Sequence, residues 1–368
     1  MNKKKLAVIF GGRSGEHVVS LRSAASIIEA IDYNRYDVIP VGISREGTWL
    51  AGEDAWLSLW EKRPPAKAGR AVIYIDPAGP GLMIQSANSP TSWDFQPLDV
   101  VFPVLHGPFG EDGTIQGLLE MAGLPYVGSG VAASALGMDK ALMKNQFRLR
   151  GIPVAPSLAF NRRQWHLDCG QIKKNVINEL SLPCFVKPAN LGSSVGISKV
   201  KCEAELEPAV NEALMYDDKV IVESFARGRE IEVSVIGDLE PRASKPGEVI
   251  PCNDFYDYNA KYIDDRSELI VPVELGPDLE ARLKELACQA FLAVEASGLA
   301  RVDFFVNSEE GSILVNEINT MPGFTSISMF PKLWEASGIC YTDLVAELLK
   351  LAEARHARRK ELLFTPPE

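Results

Sequence analysis

Two short strand-like runs near the carboxyl end of the chain carry polar side chains that could hold a metal ion. The runs cover 301–306 and 313–319, and the polar stretch between them is typical of a hairpin turn. Pairing them about the middle of that turn places Asp303 directly opposite Glu317, with Asn319 on the same face. Facing carboxylates repel each other unless something compensates their charge. Their oxygens and the amide suit Mg²⁺, which commonly shares its coordination sphere with substrate phosphates.

Arg301 lies on this predicted polar face and supplies a cation that could stabilise developing negative charge. The other face should be buried. Its apolar side chains are Val302, Phe304, Val306, Leu314 and Ile318. A solvated polar edge with a plain Arg–Asp ion pair remains the alternative, although these strands carry the residue types of buried sheets.

The first strand of the chain leads into a glycine turn that could present a ligand site. The apolar run 6–10 is typical of a buried parallel strand, and a helix is predicted over 16–31 after the turn. The turn lacks the full G-x-G-x-x-G spacing, which disfavours a dinucleotide site. Glu16 could hold a substrate ammonium there or simply complement the helix dipole.

A second candidate loop follows a buried strand predicted over 98–105. His106 opens this glycine-rich loop, and a helix is predicted from Thr114. Loops between a strand and a helix often bind small molecules. We therefore expect His106 to contact a substrate, with a buried core histidine as the alternative.

The segment between these two loops is predicted to add little to the site. A strand is expected over 36–43 and irregular structure over 47–60. The range 61–97 is rich in Pro, Gly and Ser, which favours a surface insertion around one strand at 71–75.

A lysine inside an apolar strand marks a possible phosphate site. Lys187 stands in the predicted strand 183–188, and a Gly/Ser loop follows at 190–196. A point charge beside backbone N–H donors suits a phosphate, although a Walker A motif is missing and a surface hairpin is the alternative. Glu223 and Glu230 could accept hydrogen bonds from a nucleotide, or they could face solvent.

The remaining sequence patterns predict a loop, a domain boundary and three helices. The aromatic and polar stretch 255–262 could close over a ligand or pack as a surface loop. A domain boundary is predicted near 125–130. Helices are expected over 139–150, 277–297 and 341–360.

Composition limits the class of protein. A chain of 368 residues should form two or three domains, and a net charge of −11 argues against nucleic acid as the main partner. The six cysteines include no Cys-x-x-Cys pair, which favours a reduced cytosolic protein over a zinc or disulfide framework. The first apolar run is too short for a signal peptide, and no run has the length of a membrane span.

Seven motifs, in this order, resemble the ATP-grasp superfamily and most closely its D-alanine–D-alanine ligase family. They are Gly-Gly-Arg-Ser-Gly-Glu-His at 11–17, His-Gly-Pro-Phe-Gly-Glu-Asp-Gly at 106–113, Gly-Met-Asp-Lys at 137–140, Phe-Val-Lys-Pro-Ala-Asn-Leu-Gly-Ser-Ser-Val-Gly at 185–196, Phe-Tyr-Asp-Tyr-Asn-Ala-Lys-Tyr at 255–262, Arg-Val-Asp at 301–303 and Asn-Glu-Ile-Asn-Thr-Met-Pro-Gly at 316–323. The resemblance runs from the first strand to the last helix.

The resemblance implies an α/β (α+β) chain with the ATP-grasp fold. A Rossmann-like parallel-sheet domain would cover 1–128, a central subdomain 129–223, and a C-terminal subdomain with the metal site and closing loop 224–368. The implied reaction is ATP-dependent ligation of two D-alanines to D-alanyl-D-alanine through D-alanyl phosphate, for peptidoglycan synthesis, cell-wall biogenesis and cell shape. It would use two Mg²⁺ ions, with Mn²⁺ as a substitute, in a cytoplasmic homodimer without a nucleic-acid or membrane partner.

The resemblance also implies roles for single residues. Catalytic roles fall to Glu16, Ser193, Tyr262, Arg301 and Gly323. The second substrate would meet Ser328 and Met329, while His106 is the substrate contact expected above. The nucleotide would be bound by Lys140, Lys187, Ser194, Glu223, Ser224, Ala226, Glu230 and Lys261. The metal ligands would be Asp303, Glu317 and Asn319.

Three alternatives remain for the function. One is a ligase of the same fold that takes D-lactate or D-serine as second substrate. Depsipeptide-forming relatives tend to carry Phe or His where this chain has Tyr262, which favours the dipeptide. The others are a non-catalytic nucleotide-binding regulator, disfavoured because the metal ligands and phosphate lysines are present, and a nicotinamide dehydrogenase, disfavoured by the glycine spacing.

Overall fold

The computed structural model describes residues 3–63, 65–86, 89, 91–250 and 268–363, and these fold into mixed α/β layers around three sheets. The strands are β1 (Lys4–Gly11), β2 (Tyr36–Ile43), β3 (Trp49–Ala51), β4 (Gly69–Tyr74), β5 (Gly81–Gln85), β6 (Trp93–Pro97), β7 (Val100–Val104), β8 (Ser157–Asn161), β9 (Cys184–Pro188), β10 (Ser198–Val200), β11 (Lys219–Ser224), β12 (Arg229–Gly237), β13 (Arg242–Ala243), β14 (Gly247–Ile250), β15 (Glu268–Ile270), β16 (Gly298–Asn307) and β17 (Ser312–Asn319). The helices are α1 (His17–Ala30), α2 (Ala55–Glu61), α3 (Thr114–Met121), α4 (Val131–Met138), α5 (Lys140–Leu149), α6 (Arg162–Leu180), α7 (Glu203–Ala213), α8 (Pro277–Ala293), α9 (Met329–Ala336) and α10 (Tyr341–Lys360).

The first sheet has the order β6-β5-β4-β3-β2-β1-β7 within the described chain. Strand β1 is parallel to both β2 and β7, which confirms the buried parallel strand predicted over 6–10. The prediction of a surface insertion with a single strand over 61–97 is wrong. Strands β4, β5 and β6 extend the sheet in antiparallel fashion, because apolar positions such as Ala71 and Leu82 have a sheet face to cover. The range 47–60, predicted irregular, contains β3 and α2.

The second sheet is antiparallel, with the order β10-β9-β11-β8, and it carries the lysine strand. Helices α6 and α7 pack on it around a core that includes Trp165, Val186 and Val222. Lys187 lies in β9 and pairs with Ile221 of β11, so the predicted strand 183–188 is confirmed with its start one residue later. This sheet places Lys187 beside Glu223 at the strand ends.

The third sheet confirms the predicted hairpin. Strand β16 pairs with β17 so that Asp303 faces Glu317 and Arg301 faces Asn319. The register then shifts, and Phe304 pairs with Val315.

Asn316 is the residue that this shift skips, as in a β-bulge. The bulge makes one part of the prediction wrong. It sends Val315 into the core in place of Leu314, which stays partly exposed.

The first sheet and the C-terminal helices share one hydrophobic core. Leu6 and Phe10 of β1 belong to the same buried cluster as Leu344 and Leu348 of α10. Helix α10 follows the bounds predicted for it, whereas α8 ends four residues before its predicted end. Among the described residues, none of the helices combines the length and apolar content that a membrane crossing needs.

Candidate active site

A cleft of about 1260 Å³ lies where the three sheets meet. Every predicted site residue within the described chain lines it. These are Glu16, His106, Lys140, Lys187, Ser193, Ser194, Glu223, Ser224, Ala226, Glu230, Arg301, Asp303, Glu317, Asn319, Gly323, Ser328 and Met329. Lys261 and Tyr262, with the rest of the stretch 255–262, lie outside the described residues.

The polar face of the hairpin is organised by Arg301. Its guanidinium donates two hydrogen bonds of 2.7 Å to the carboxylate of Asp303 and lies 2.9 Å from Glu232. Asn319 adds a bond of 3.0 Å to Asp303 through its amide nitrogen. Burial lowers the pKa of Arg301, but the charges of Asp303 and Glu232 outweigh it and hold that pKa well above its usual value.

The predicted metal ligands fit a hard cation that also binds phosphate. The side chains of Asp303 and Glu317 keep 14% and 22% of their surface exposed, so they are reachable from the cleft. Lys140 lies 3.7 Å from Glu317 and compensates part of the charge. No group of three or more His, Cys, Asp or Glu side chains in the described chain is arranged to hold a metal. Two carboxylates and an amide therefore leave coordination positions for substrate oxygens or water.

Two lysines converge on one buried glutamate. Lys187 lies 2.7 Å and Lys144 3.2 Å from opposite oxygens of Glu223. Burial raises the pKa of Glu223, but the two ammonium groups outweigh it and lower that pKa to about 2. Burial also lowers the pKa of Lys187, yet Glu223 outweighs it and the pKa lies above its usual value. Glu223 and Lys187 are therefore both charged in the neutral range.

The Gly/Ser loop reaches from the lysine strand to the start of α1. Asp217 anchors its beginning by accepting bonds of 2.7 and 2.9 Å from Asn190, and the Lys140 ammonium donates to the Leu191 carbonyl over 2.8 Å. A Cβ added at Gly192 would lie only 3.0 Å from Glu16 Oε2. The loop and Glu16 are therefore neighbours.

Glu16 and His106 lie at the other end of the cleft. The Glu16 side chain makes no capping hydrogen bond at the start of α1. His106 is 3% exposed, and its ring nitrogens lie 2.8 Å from the Met321 carbonyl and 3.3 Å from the Ser23 hydroxyl. Burial lowers the pKa of His106 against the opposing charge of Glu16. His106 is thus a buried histidine in the cleft wall, and its contact with a substrate stays a prediction.

Three cleft-side residues were missed from the sequence. Lys144 is buried and donates to the Asn316 carbonyl over 2.9 Å. Its place four positions after Lys140, on the same helix face, was a usable signal. Glu111 and Glu232 carried no comparable local signal.

Comparisons with known proteins agree along the whole chain. The family model "D-ala D-ala ligase N-terminus" matches residues 5–129, and "D-ala D-ala ligase C-terminus" matches residues 146–350. A D-alanine–D-alanine ligase of Heliobacterium modesticaldum is 50% identical over 361 residues, which is 98% of this chain and 97% of the relative.

Two solved structures share the fold. The D-alanine–D-alanine ligase of Coxiella burnetii has a TM-score of 0.84 at 36% identity and covers 98% of this chain and 97% of its own. The VanG D-Ala:D-Ser ligase of Enterococcus faecalis has a TM-score of 0.85 at 36% identity and covers 95% of this chain and 100% of its own.

Proposed function

The chain belongs to the D-alanine–D-alanine ligase family, and we propose that its cleft joins two D-alanines at the expense of ATP. The product, D-alanyl-D-alanine, would serve peptidoglycan precursor synthesis. The observation that carries the proposal is the register that sets Asp303 opposite Glu317, beside Arg301, in one cleft with the buried lysine Lys187. This arrangement suits phosphoryl transfer, which needs charge neutralisation more than covalent help.

The nucleotide would lie between the second and third sheets. Lys140 and Lys187 would meet the phosphates, together with Lys261. Glu223 would hold the adenine and Glu230 the ribose. Backbone groups near Ser224 and Ala226, and the loop residue Ser194, complete this proposed set. The observation that supports this nucleotide site is the pair of buried lysines, Lys144 and Lys187, beside Glu223.

Asp303, Glu317 and Asn319 would hold Mg²⁺, two ions by family resemblance, with Mn²⁺ as a substitute. Bound metal would neutralise charge on the transferring phosphoryl group. The residues themselves keep the ligands in place, since Arg301 and Asn319 orient the Asp303 carboxylate. Lys140 does the same for Glu317 at longer range.

The proposed reaction has two steps. The γ-phosphoryl group of ATP passes to the carboxylate of the first D-alanine, whose ammonium Glu16 holds, and ADP is left. The amine of the second D-alanine then attacks the acyl carbon, and phosphate leaves as the peptide bond forms. Arg301 and the Gly323 N–H would stabilise the tetrahedral oxyanion between these events. His106 would support the substrate end from the cleft wall.

An acyl phosphate hydrolyses in water, so the cleft must close during turnover. Ser193, in the loop beside Glu16, would form the closing contact with Tyr262. The support for this role is that the loop lies against Glu16, since a Cβ at Gly192 would be 3.0 Å from Glu16 Oε2. Ser328 and Met329 would meet the carboxylate of the second substrate.

A D-serine-using ligase is the second candidate. The VanG relative, a D-Ala:D-Ser ligase, is as similar in fold and identity as the Coxiella burnetii enzyme. Ser328 and Met329 line the cleft where the second substrate would lie. We prefer D-alanine because D-alanine–D-alanine ligases that are 44–50% identical cover 97–99% of this chain.

We further propose a cytoplasmic homodimer with domain boundaries near residues 128 and 223. The N-terminal family match ending at residue 129 supports the first boundary. The three sheets, which occupy successive parts of the chain, support both.

The test is phosphate release from Mg·ATP with D-alanine, with L-alanine, and with D-alanine plus D-serine or D-lactate, with products identified by mass. D-Alanyl-D-alanine as the main product supports the proposal. A mixed dipeptide or a depsipeptide as the main product would keep the fold and move the assignment to the second candidate. No phosphate release with any substrate would reject a ligase of this class.

A further inference from the structure

The stretch 321–324 offers one backbone donor to the cleft. Pro322 has no N–H. The N–H groups of Met321 and Phe324 are both taken by side chains of the first domain. No acceptor among the described residues takes the N–H of Gly323, which lines the cleft. This N–H is therefore the donor that the stretch can present to a ligand.

Three side chains from the first domain fix both ends of this stretch. Glu111 accepts the Met321 N–H over 3.1 Å, and His106 lies 2.8 Å from the Met321 carbonyl. Ser23 accepts the Phe324 N–H over 3.2 Å. Every one of these contacts joins helix α1 or the loop after β7 to the loop after β17. The position of the donor between them is set from outside its own domain.

Glu111 is the central member of this group. Its second oxygen accepts the Gly107 N–H over 2.7 Å, so its carboxylate bridges the histidine loop and the stretch after β17. Both bonds need an oxygen that accepts. Burial raises the pKa of Glu111 to about 8, and the nearby Glu16 adds to that rise.

We propose that Glu111 and Ser23 are positioning residues that hold the Gly323 N–H against the oxyanion formed during peptide-bond formation. The inference rests on the proposed function. As the amine attacks, the carbon–nitrogen bond forms and the carbonyl electron pair moves onto oxygen. That pair returns when the carbon–oxygen bond to phosphate breaks, and the extra amine proton leaves with the phosphate. Phosphoryl transfer, the earlier step, makes no such oxyanion.

Only the second step forms the oxyanion, so the test compares dipeptide formation with phosphate release. Glu111→Gln keeps the size of the side chain but places an amide N–H₂ against one of the two N–H donors. Ser23→Ala leaves Glu111 intact and removes the Phe324 contact together with the 3.3 Å contact to His106. For each variant we would measure D-alanyl-D-alanine formed per phosphate released, the kcat for dipeptide, and the KM for ATP. Asp112→Asn is the matched control, since its carboxylate accepts from the N–H groups of Phe109 and Thr114, its near neighbours in sequence.

We expect kcat for dipeptide to fall by up to about 10²-fold in Glu111→Gln, and less in Ser23→Ala, because a small misplacement of a catalytic group costs that much. Phosphate release should fall less than dipeptide formation, because the acyl phosphate is hydrolysed instead. The KM for ATP and the control should stay near wild type.

An equal loss of dipeptide and phosphate in both variants would show a merely structural role and overturn the inference. A ratio of dipeptide formed to phosphate released that stays at the wild-type value would also overturn it. If Glu111→Gln fails to fold, Ser23→Ala decides the question alone. A wild-type protein that makes no dipeptide would instead reject the proposed function, and the inference with it.

Discussion

The Lys144 ammonium donates a hydrogen bond of 2.9 Å to the backbone carbonyl of Asn316, at the bulge in the strand of the predicted metal ligands. The same ammonium lies 3.2 Å from Glu223, and only 1% of the lysine side chain is exposed. Burial lowers the pKa of Lys144, while Glu223 raises it. One buried cation thus joins the proposed adenine and metal ends of the cleft.

Replacing Lys144 with methionine should lower the free energy of unfolding by about 1–3 kcal/mol, because one Glu223 oxygen and the Asn316 carbonyl lose a buried polar partner. Glu223 would keep only Lys187, and the Asn316 carbonyl would lose its donor. Urea unfolding measures the loss. Lys174→Met, at an exposed position on α6, is the control and should change the value by less than about 0.5 kcal/mol. Equal effects of the two substitutions would contradict this reading.

Replacing Arg301 with alanine should lower kcat by about 10²–10³, the usual cost of losing an oxyanion donor. Arg301→Lys should restore little, because one ammonium cannot reproduce the two parallel bonds to Asp303. Steady-state kinetics gives kcat and KM for each variant. A raised KM with unchanged kcat would assign Arg301 to ground-state binding. Arg282→Ala is the matched control, because Arg282 forms an exposed ion pair with Glu285 on α8.

Glu317→Ala should leave a folded protein that loses most of its activity, because the phosphates lose part of their charge neutralisation. Glu317→Asp, which keeps the charge on a shorter side chain, should need more Mg²⁺ for half-maximal rate. Chelation by EDTA should stop the wild-type reaction, and added Mg²⁺ should restore it. The measurement is rate against free Mg²⁺, with circular dichroism to confirm folding. Near-normal turnover of Glu317→Ala would remove the hairpin from the site.

The stability of the ligand-free protein should depend on pH through Glu111. Burial, and next the Glu16 charge, raise its pKa from 4.5 to about 8, while Arg301 opposes the rise. A raised folded-state pKa adds stability that is full below pH 4.5 and is lost as pH rises through 8.

Wild type should therefore exceed Glu111→Gln in free energy of unfolding by more at pH 6 than at pH 9. Urea titrations of both proteins at the two pH values measure this difference. A difference that stays constant between the two pH values would contradict the prediction.

Local patterns predicted the parts of the fold that local residues decide. Alternation and one turn located the hairpin and set Asp303 opposite Glu317. The bulge was hidden because Asn316 is held by Lys144, 172 positions away, and so Leu314 was assigned to the wrong face. Glu111 was missed for the same reason, since its partner Met321 lies 210 positions along the chain.

Strands β4 to β6 show a different limit. Their sequence is interrupted by Pro, Gly and Ser. Their apolar residues become buried only when these strands pair with the rest of the first sheet. For the candidate site, family resemblance nominated the residues, and the structure brings those that it describes together in one cleft. Contacts between distant segments supply most of that support, and a single sequence does not contain them.

The core shared by β1 and α10 has a consequence for biosynthesis. Strand β1 leaves the ribosome among the first residues, but Leu344 and Leu348, which belong to the same buried cluster as Leu6, are translated more than three hundred residues later. Until then the nascent sheet keeps an apolar face that chaperones can recognise. A ribosome that stalls before Tyr341 would release a chain that carries the cleft residues from Glu16 to Met329 and still lacks the cover of its first sheet.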